Sequence, residues 1–433
     1  MTDARASLSG SRRPSRGLSA RFSIAILVSA AIAISYLDRQ TLPWAIGAIS
    51  ADIPISNQLK AALDTAFLVT YGLMYLGGGR LIDSLGTRRG FAVVMLFWSL
   101  ACASHGLATG VVMLAMSRLL LGVGEGGGFP AATRVVAESF PPNSRATAMG
   151  IINAGTAVGA VVAPPLIALV LTRGRWMNLA PWRWVFFLTG AAGVAWTLWW
   201  WVTYREPEGL GPGRGAVADA GPAVPISSLL GRREILGVVF AKFLSDAAWY
   251  FYLFWLPKFL FDALHFDIKS ASAVGWIPYA ASGVGCLVGG GLSSWLLGRG
   301  ATVDRARKVA LGLSAALMPW VMAVPFVASV AGVIAIFSVA FFGQQSWSTL
   351  VMILPTDLVP RRVVGTVAGL VGLGGAMGGV VLGQLAGWLL DHGFSYTPVL
   401  IIAGSLHIVA FGVICVSIPR LKLLTFGGPT GGA

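Results

Sequence analysis

Apolar runs of helical length follow one another along nearly the whole chain, separated by short polar turns. A bilayer crossing takes about 20 mostly apolar residues. Runs of that kind are expected near 22–50, 59–80, 90–110, 112–138, 145–171, 183–203, 235–261, 271–297, 307–329, 331–355, 364–390 and 397–418. A polar stretch from Arg205 to Gly231 holds Pro207, Pro212, Pro222 and Pro225, the composition of a linker. The pattern predicts an all-α membrane protein of twelve transmembrane helices in two six-helix bundles. The expected parts are a basic cytoplasmic tail at 1–21, a bundle at 22–204, a cytoplasmic linker at 205–233, a second bundle at 234–419 and a cytoplasmic tail at 420–433.

Composition narrows the class further. Of 433 residues 56% are hydrophobic and 11% are charged, less than half the share of an ordinary soluble domain. That excludes a soluble globular chain and a disordered one. It also excludes an outer-membrane barrel, whose spans alternate apolar and polar positions. The formal charge of +14 would suggest nucleic acid in a soluble protein. Here it reads as loop charge. With both termini and the even-to-odd loops in the cytoplasm, 22 of the 31 Lys and Arg fall on that side. Six fall opposite, Lys60 among them, and Arg39, Arg118 and Lys242 lie inside spans. This is the positive-inside bias. The twin arginines of SRRPSRGLSARFS read as tail rather than export signal, because the apolar run from Phe22 continues past signal length into Asp38-Arg39. Cys102, Cys286 and Cys415 have neither metal-ligand nor CxxC spacing, so no disulfide and no metal site are expected.

The halves repeat. At an offset of 219, Glu138, Pro141, Thr147, Gly150, Gly155 and Gly159 fall on Asp357, Pro360, Thr366, Gly369, Gly374 and Gly378. Two duplicated bundles imply a substrate site between them near the midplane. Glycines four apart predict close helix packing. The run Gly122-Val123-Gly124-Glu125-Gly126-Gly127 fits GxGxxG, but no strand precedes it, so it reads as a narrow helix face and not a nucleotide loop. Gly79-Arg80-Leu81-Ile82-Asp83-Ser84-Leu85-Gly86-Thr87-Arg88-Arg89 is expected as the loop between spans 2 and 3. There Asp83 can face a helix N-terminus or Arg88 and Arg89, gating contacts that hold in one conformation and release in another.

Ionisable residues inside spans are costly and point to function. Asp38 and Arg39 are adjacent in span 1; Arg118 and Glu125 are seven apart in span 4, on one face and about 10 Å apart along the axis. Lys242 and Asp246 in span 7 form an i, i+4 pair able to neutralise itself. Two arginines in one cavity favour a carboxylate anion. Asp38 and Glu125 are the candidates to take up and release a proton. Tyr71, Asn153, Trp249, Gln344, Gln345, Ser346 and Trp347 suit a hydroxylated body, although packing explains any one of them equally well.

The run SYLDRQTLPWAI, the loop at Gly79, SRLLLGVGEGGGFPA, INAGTAVGAVVAPP and FLSDAAWYFYLFWLPKFL together resemble the anion:cation symporters of the major facilitator superfamily. Bacterial hexuronate transporters resemble it most, with the galactonate:proton symporter next. The resemblance implies a proton-coupled importer of a sugar acid in the inner membrane, working as a monomer without a cofactor. It implies proton coupling at Asp38 and Glu125 and substrate binding at Arg39, Arg118 and Tyr71. Lys242 stands where the galactonate type has a neutral amide, which favours a uronate. Other organic anions, aldonates or aromatic carboxylates, stay open. A drug exporter of the same fold is disfavoured, since Ala160 rather than proline follows Gly159 and paired arginines suit lipophilic cations poorly. An integral-membrane enzyme is disfavoured by four histidines, three scattered cysteines and no polar domain.

Overall fold

The computed structural model describes residues 18–140, 145–173, 177–205 and 225–426. The helices are α1 (Leu18–Asp52), α2 (Asn57–Leu85), α3 (Thr87–Ser104), α4 (Val111–Gly126), α5 (Gly128–Ser139), α6 (Arg145–Leu171) and α7 (Pro181–Thr203), then α8 (Ile226–Leu230), α9 (Arg233–Asp262), α10 (Ile268–Gly298), α11 (Val303–Ala316), α12 (Val330–Leu358), α13 (Arg361–Asp391) and α14 (Thr397–Ser417). Eleven segments among the described residues are long and apolar enough to cross a membrane. The span expected at 59–80 is α2, which is not among the eleven; it carries Lys60, Asp64, Arg80 and Asp83. Val112, Leu198, Val202, Leu287, Phe326 and Val416 are exposed on the outer surface, where lipid in place of water makes apolar groups the fitting cover. Much of the expected linker, 206–224, most of the N-terminal tail and half of the C-terminal one lie outside the described residues; α8 occupies the linker's end.

Three expected boundaries differ for stated physical reasons. The loop expected from Gly79 to Arg89 is almost wholly helical. Gly86 alone separates α2 from α3, and its φ of 79° makes the turn in one residue, a conformation other side chains resist. The span expected at 112–138 is two helices that part at Gly127, within a run of glycines. The span expected at 307–329 ends as a 3-10 helix, Met318–Phe326, because Pro319 and Pro325 lack the N–H that an α-helix needs.

The repeat seen in the sequence reappears as packing. Gly155 and Gly159 of α6 lie against the Ser29 and Ala33 carbonyls of α1. Gly374 and Gly378 of α13 lie against the Val239 and Phe243 carbonyls of α9. At all four positions a Cβ would meet backbone, so the glycines set the approach of α6 to α1 and of α13 to α9. The glycines of α4 act likewise: Gly122 abuts Phe67 and Thr70 of α2, Gly126 abuts Tyr71 and Met74, and Gly124 abuts Trp98 of α3. Thr70 Oγ1 reinforces this contact by donating to the Leu119 carbonyl at 2.9 Å. The GxGxxG-like run is therefore a packing face, as expected.

The halves meet along α2 and α13, α6 and α10, and α1 and α9. At the end where α1 turns into α2, Asp391 accepts from the Asn57 and Gln58 backbone amides at 2.9 and 2.8 Å. Gln58 Nε2 donates to Gln384 Oε1 at 2.5 Å, and Gln384 Nε2 donates to Thr65 Oγ1 at 2.7 Å. Tyr279 of α10 donates to Gln40 Oε1 of α1 at 3.2 Å. Among the described residues the hydrogen bonds that join the halves lie at this end or at mid-depth. At the opposite end two ion pairs among the described residues, Arg134–Glu138 at 2.8 Å and Arg307–Asp357 at 2.9 Å, each lie within one half.

Candidate functional site

Because α4's glycines bring it onto α2, its two ionisable residues face the centre of the first half. Arg118 is 1% and Glu125 2% exposed. Arg39 Nε of α1 donates to Glu125 Oε2 at 2.6 Å, and Ser35 Oγ donates to the same oxygen at 2.9 Å. The Arg39 guanidinium lies 4.4 Å from the Tyr71 ring and 4.7 Å from the Tyr36 ring. Both guanidinium groups rest against Phe67, at 5.6 Å for Arg39 and 5.7 Å for Arg118. The structure thus brings Arg39, Arg118, Tyr71 and Glu125 together around one aromatic ring.

Neither arginine stands without a carboxylate. Arg118 Nη2 is 3.7 Å from Asp64 Oδ1. Its geometry is looser than that of Arg39, since Arg118 Nε and Nη2 have no hydrogen-bond partner. Lys60 Nζ holds the other Asp64 oxygen at 2.7 Å and lies 4.1 Å over the Trp255 ring of α9. Asp38 is buried beside this constellation and is separate from it: neither of its oxygens has a hydrogen-bond partner. Neighbouring helix positions point about 100° apart. Arg39 can therefore turn to Glu125 while Asp38 faces elsewhere.

In the second half Lys242 pairs with Asp246 at 3.0 Å and donates to Ser348 Oγ at 2.8 Å. Gln344 Nε2 donates to Asp246 Oδ1 at 3.4 Å, and Gln344 Oε1 also bonds His407 of α14. Trp347 packs on His407, with ring centroids 5.5 Å apart. Gln344 and Trp347 are therefore engaged inside the second half and are not brought to the arginines. Trp249 packs edge-on to Phe341, while Asn153 and Gln345 are half-buried. Phe67 and Phe254 meet edge to face across the seam at 6.2 Å.

Of the expected gating residues, the Asp83 side chain lies outside the described residues. Arg88 Nη2 donates to the Trp201 carbonyl at 2.5 Å and lies over that ring, within its own half. Arg89 is exposed. Lys60, counted from the sequence with the loop cations, is fully buried in α2. Together with Asp64 it belongs to the site, and the sequence reading missed both. Their i, i+4 spacing just inside span 2 was the available signal. His407 was missed too; a lone histidine in an apolar run gives little hint of its partner.

Residues 28–383 match the Major Facilitator Superfamily. The D-galactonate transporter of Escherichia coli strain CFT073 is 25% identical over 409 residues, covering 90% of this chain and 93% of that one. The hexuronate transporter of Escherichia coli K12 is 27% identical over 398 residues, 87% of this chain and 89% of that one. A solved bacterial homologue of the human lysosomal transporter Spinster, inward-facing and unoccupied, shares the fold with a TM-score of 0.70. It is 17% identical and covers 93% of this chain and 96% of its own.

Proposed function

The chain belongs to the major facilitator superfamily, carriers and not enzymes, and from that premise we propose that it imports a sugar-acid anion, a hexuronate such as glucuronate or galacturonate, together with protons. The observation that carries this reading is the Arg39–Glu125 contact at 2.6 Å beside an Arg118 whose Nε and Nη2 lack partners. An anion that takes the Nε edge of Arg39 has to displace Glu125, and a proton on Glu125 removes that competitor. The substrate carboxylate then settles between Arg39 and Arg118, where guanidinium forks match its two oxygens. The Tyr71, Phe67 and Tyr36 rings offer aromatic faces to the sugar's C–H surface. From the other side, Lys242, Trp249, Asn153 and Gln345 are the candidates to meet its hydroxyls. Asp38 is the candidate second proton site.

In this reading the bundles at 22–204 and 234–419, joined by the linker at 205–233, rock about the midplane site. Both termini lie in the cytoplasm, as the Lys and Arg bias supports. The Asp391 seam then closes the outer side of the inner membrane, and Asp83, Arg88 and Arg89 act at the cytoplasmic gate. The carrier works as a monomer with no cofactor. One proton per anion makes the cycle electroneutral and driven by about 1.4 kcal/mol per pH unit. A second proton adds about 2.3 kcal/mol per 100 mV. Aldonates are the second reading, supported by the galactonate relative and by two arginines that grip any carboxylate.

The test is uptake into proteoliposomes under an imposed pH gradient, across hexuronates, aldonates and their neutral parent sugars. Gradient-driven uptake of glucuronate or galacturonate is expected. Preference for glucose would sink the anion reading, and uptake indifferent to the pH gradient would sink the coupling.

A further inference from the structure

We propose that Asp64 is a resident stand-in for the substrate's carboxylate, competing with it for Arg118 and setting the affinity of the site. This rests on the reading of Arg39 and Arg118 as the anion seat. Asp64 is 3% exposed in α2, one turn after the likewise buried Lys60. It makes two unequal contacts. Oδ2 takes a short charge-assisted bond from Lys60 at 2.7 Å, and Oδ1 stands 3.7 Å from Arg118 Nη2 with no hydrogen-bond partner. The Lys60 tether thus holds Asp64 back from a full fork-to-fork pair with Arg118. Arg118 is neutralised across a gap, while its own donors at Nε and Nη2 are left open.

That arrangement solves a problem which an empty anion carrier faces. A buried guanidinium with no counter-charge is expensive, yet one locked in a bidentate pair would refuse the substrate. A carboxylate held off by a lysine neutralises the arginine and leaves it ready to exchange partners. When substrate occupies Arg118, Asp64 keeps Lys60, so no carboxylate is stranded. When substrate leaves, Asp64 balances Arg118 again.

The position adds a second consequence. Arg118 is seven residues nearer than Glu125 to the start of α4, about 10 Å along the axis and toward the end sealed by Asp391. Lys60 is three residues into α2 from Asn57, the residue that Asp391 caps, and its ammonium lies on Trp255 of the opposite half. Asp64 therefore joins the anion seat to the seam that closes this end.

The experiment measures glucuronate binding and proteoliposome exchange at one fixed pH for the wild type, the charge-neutral double variant Lys60→Gln/Asp64→Asn, and Asp64→Glu. Removing the competitor should tighten glucuronate binding about tenfold in the double variant and slow exchange, because release loses the group that reclaims Arg118. Asp64→Glu, whose longer arm closes the gap to Arg118, should weaken binding by a similar factor. A purely structural role would lower binding and exchange together in both variants. Unchanged or weaker binding in a double variant with wild-type thermal stability overturns the proposal. Should the double variant fail to fold, tighter or unchanged binding in Asp64→Glu overturns it equally. A wild-type chain that binds no sugar acid overturns the underlying reading as well, which separates the two failures.

Discussion

Replacing Glu125 by glutamine gives the sharpest view of how proton and anion are linked. In the resting structure Glu125 accepts from Arg39 at 2.6 Å and from Ser35 at 2.9 Å, and both members of the ion pair are almost wholly buried. Removing one partner of such a pair costs on the order of 3–5 kcal/mol. At about 1.4 kcal/mol per tenfold, substrate that must displace an ionised Glu125 binds at most roughly two to three and a half orders of magnitude more weakly than substrate meeting a protonated one. The sign follows from linkage. Substrate favours the protonated acid, so wild-type affinity is greatest at low pH and falls as pH rises. The fall is at most about tenfold per pH unit for one proton. Glutamine is neutral at every pH and forms only a weaker neutral-acceptor bond to Arg39. Affinity in Glu125→Gln should lie within about tenfold of the wild type's low-pH value and lose the part of the pH slope that Glu125 contributes. Calorimetric titration of purified protein with glucuronate between about pH 5.5 and 8.5 reads this directly. In proteoliposomes the variant should still exchange labelled for unlabelled substrate and should not concentrate it. A Glu125→Gln protein that keeps the wild-type pH slope, or that accumulates glucuronate against a gradient, would refute the displacement argument.

Arg118→Ala removes the open donors and should weaken glucuronate binding by at least about a hundredfold, from the loss of two charge-assisted bonds; unchanged affinity takes Arg118 out of the site. The double variant Lys242→Gln/Asp246→Asn separates pairing from substrate contact. If Lys242 touches the substrate, affinity falls; retained affinity would make the pair purely structural. Asp391→Ala removes the acceptor that caps α2 from the other half and should speed maleimide labelling of a cysteine placed at Thr65 about fivefold, for a net effect near 1 kcal/mol. Equal labelling rates would mean that the seam does not depend on this cap. Gly159→Val places a side chain against the Ala33 carbonyl and should yield aggregated protein on size-exclusion chromatography, whereas a monodisperse, active variant would contradict the close α6–α1 approach.

The fold was largely legible because lipid imposes a simple rule on sequence: each crossing must be long, apolar and self-satisfied in its hydrogen bonds. The duplication was legible for a related reason. Gly155 and Gly159, like Gly374 and Gly378, are fixed by backbone contacts that accept no other residue, so the spacing survives in both halves. The boundaries were harder. Nothing in GRLIDSLGTRR distinguishes a polar loop from two helices separated by Gly86, since the difference lies in one backbone angle. In the site, Arg39, Arg118 and Glu125 stood out because isolated charges in apolar runs are conspicuous. Asp64 and Lys60 did not, because they sit within two turns of the start of α2 and resemble loop charge until the tertiary packing buries them. Gln344 and Trp347 show the opposite case. Their polar and aromatic character suggested a route to the ligand, while their partners, Asp246 and His407 for Gln344 and His407 for Trp347, are distant in sequence and show only in the fold.

The bonds across the Asp391 seam are made largely by amides and a carboxylate near the protein surface, groups that water serves nearly as well as they serve one another. Parting them exchanges one set of partners for another at small net cost. The close glycine contacts within each half have no such substitute, because lipid and water alike would leave bare backbone behind. Close glycine contacts also cross between the halves, Gly387 against the Asn57 carbonyl and Gly369 against the Tyr75 carbonyl, so the seam parts easily only in its hydrogen bonds. In the proposed cycle a guest must therefore outweigh those packed contacts, while the surface bonds change partners at little net cost.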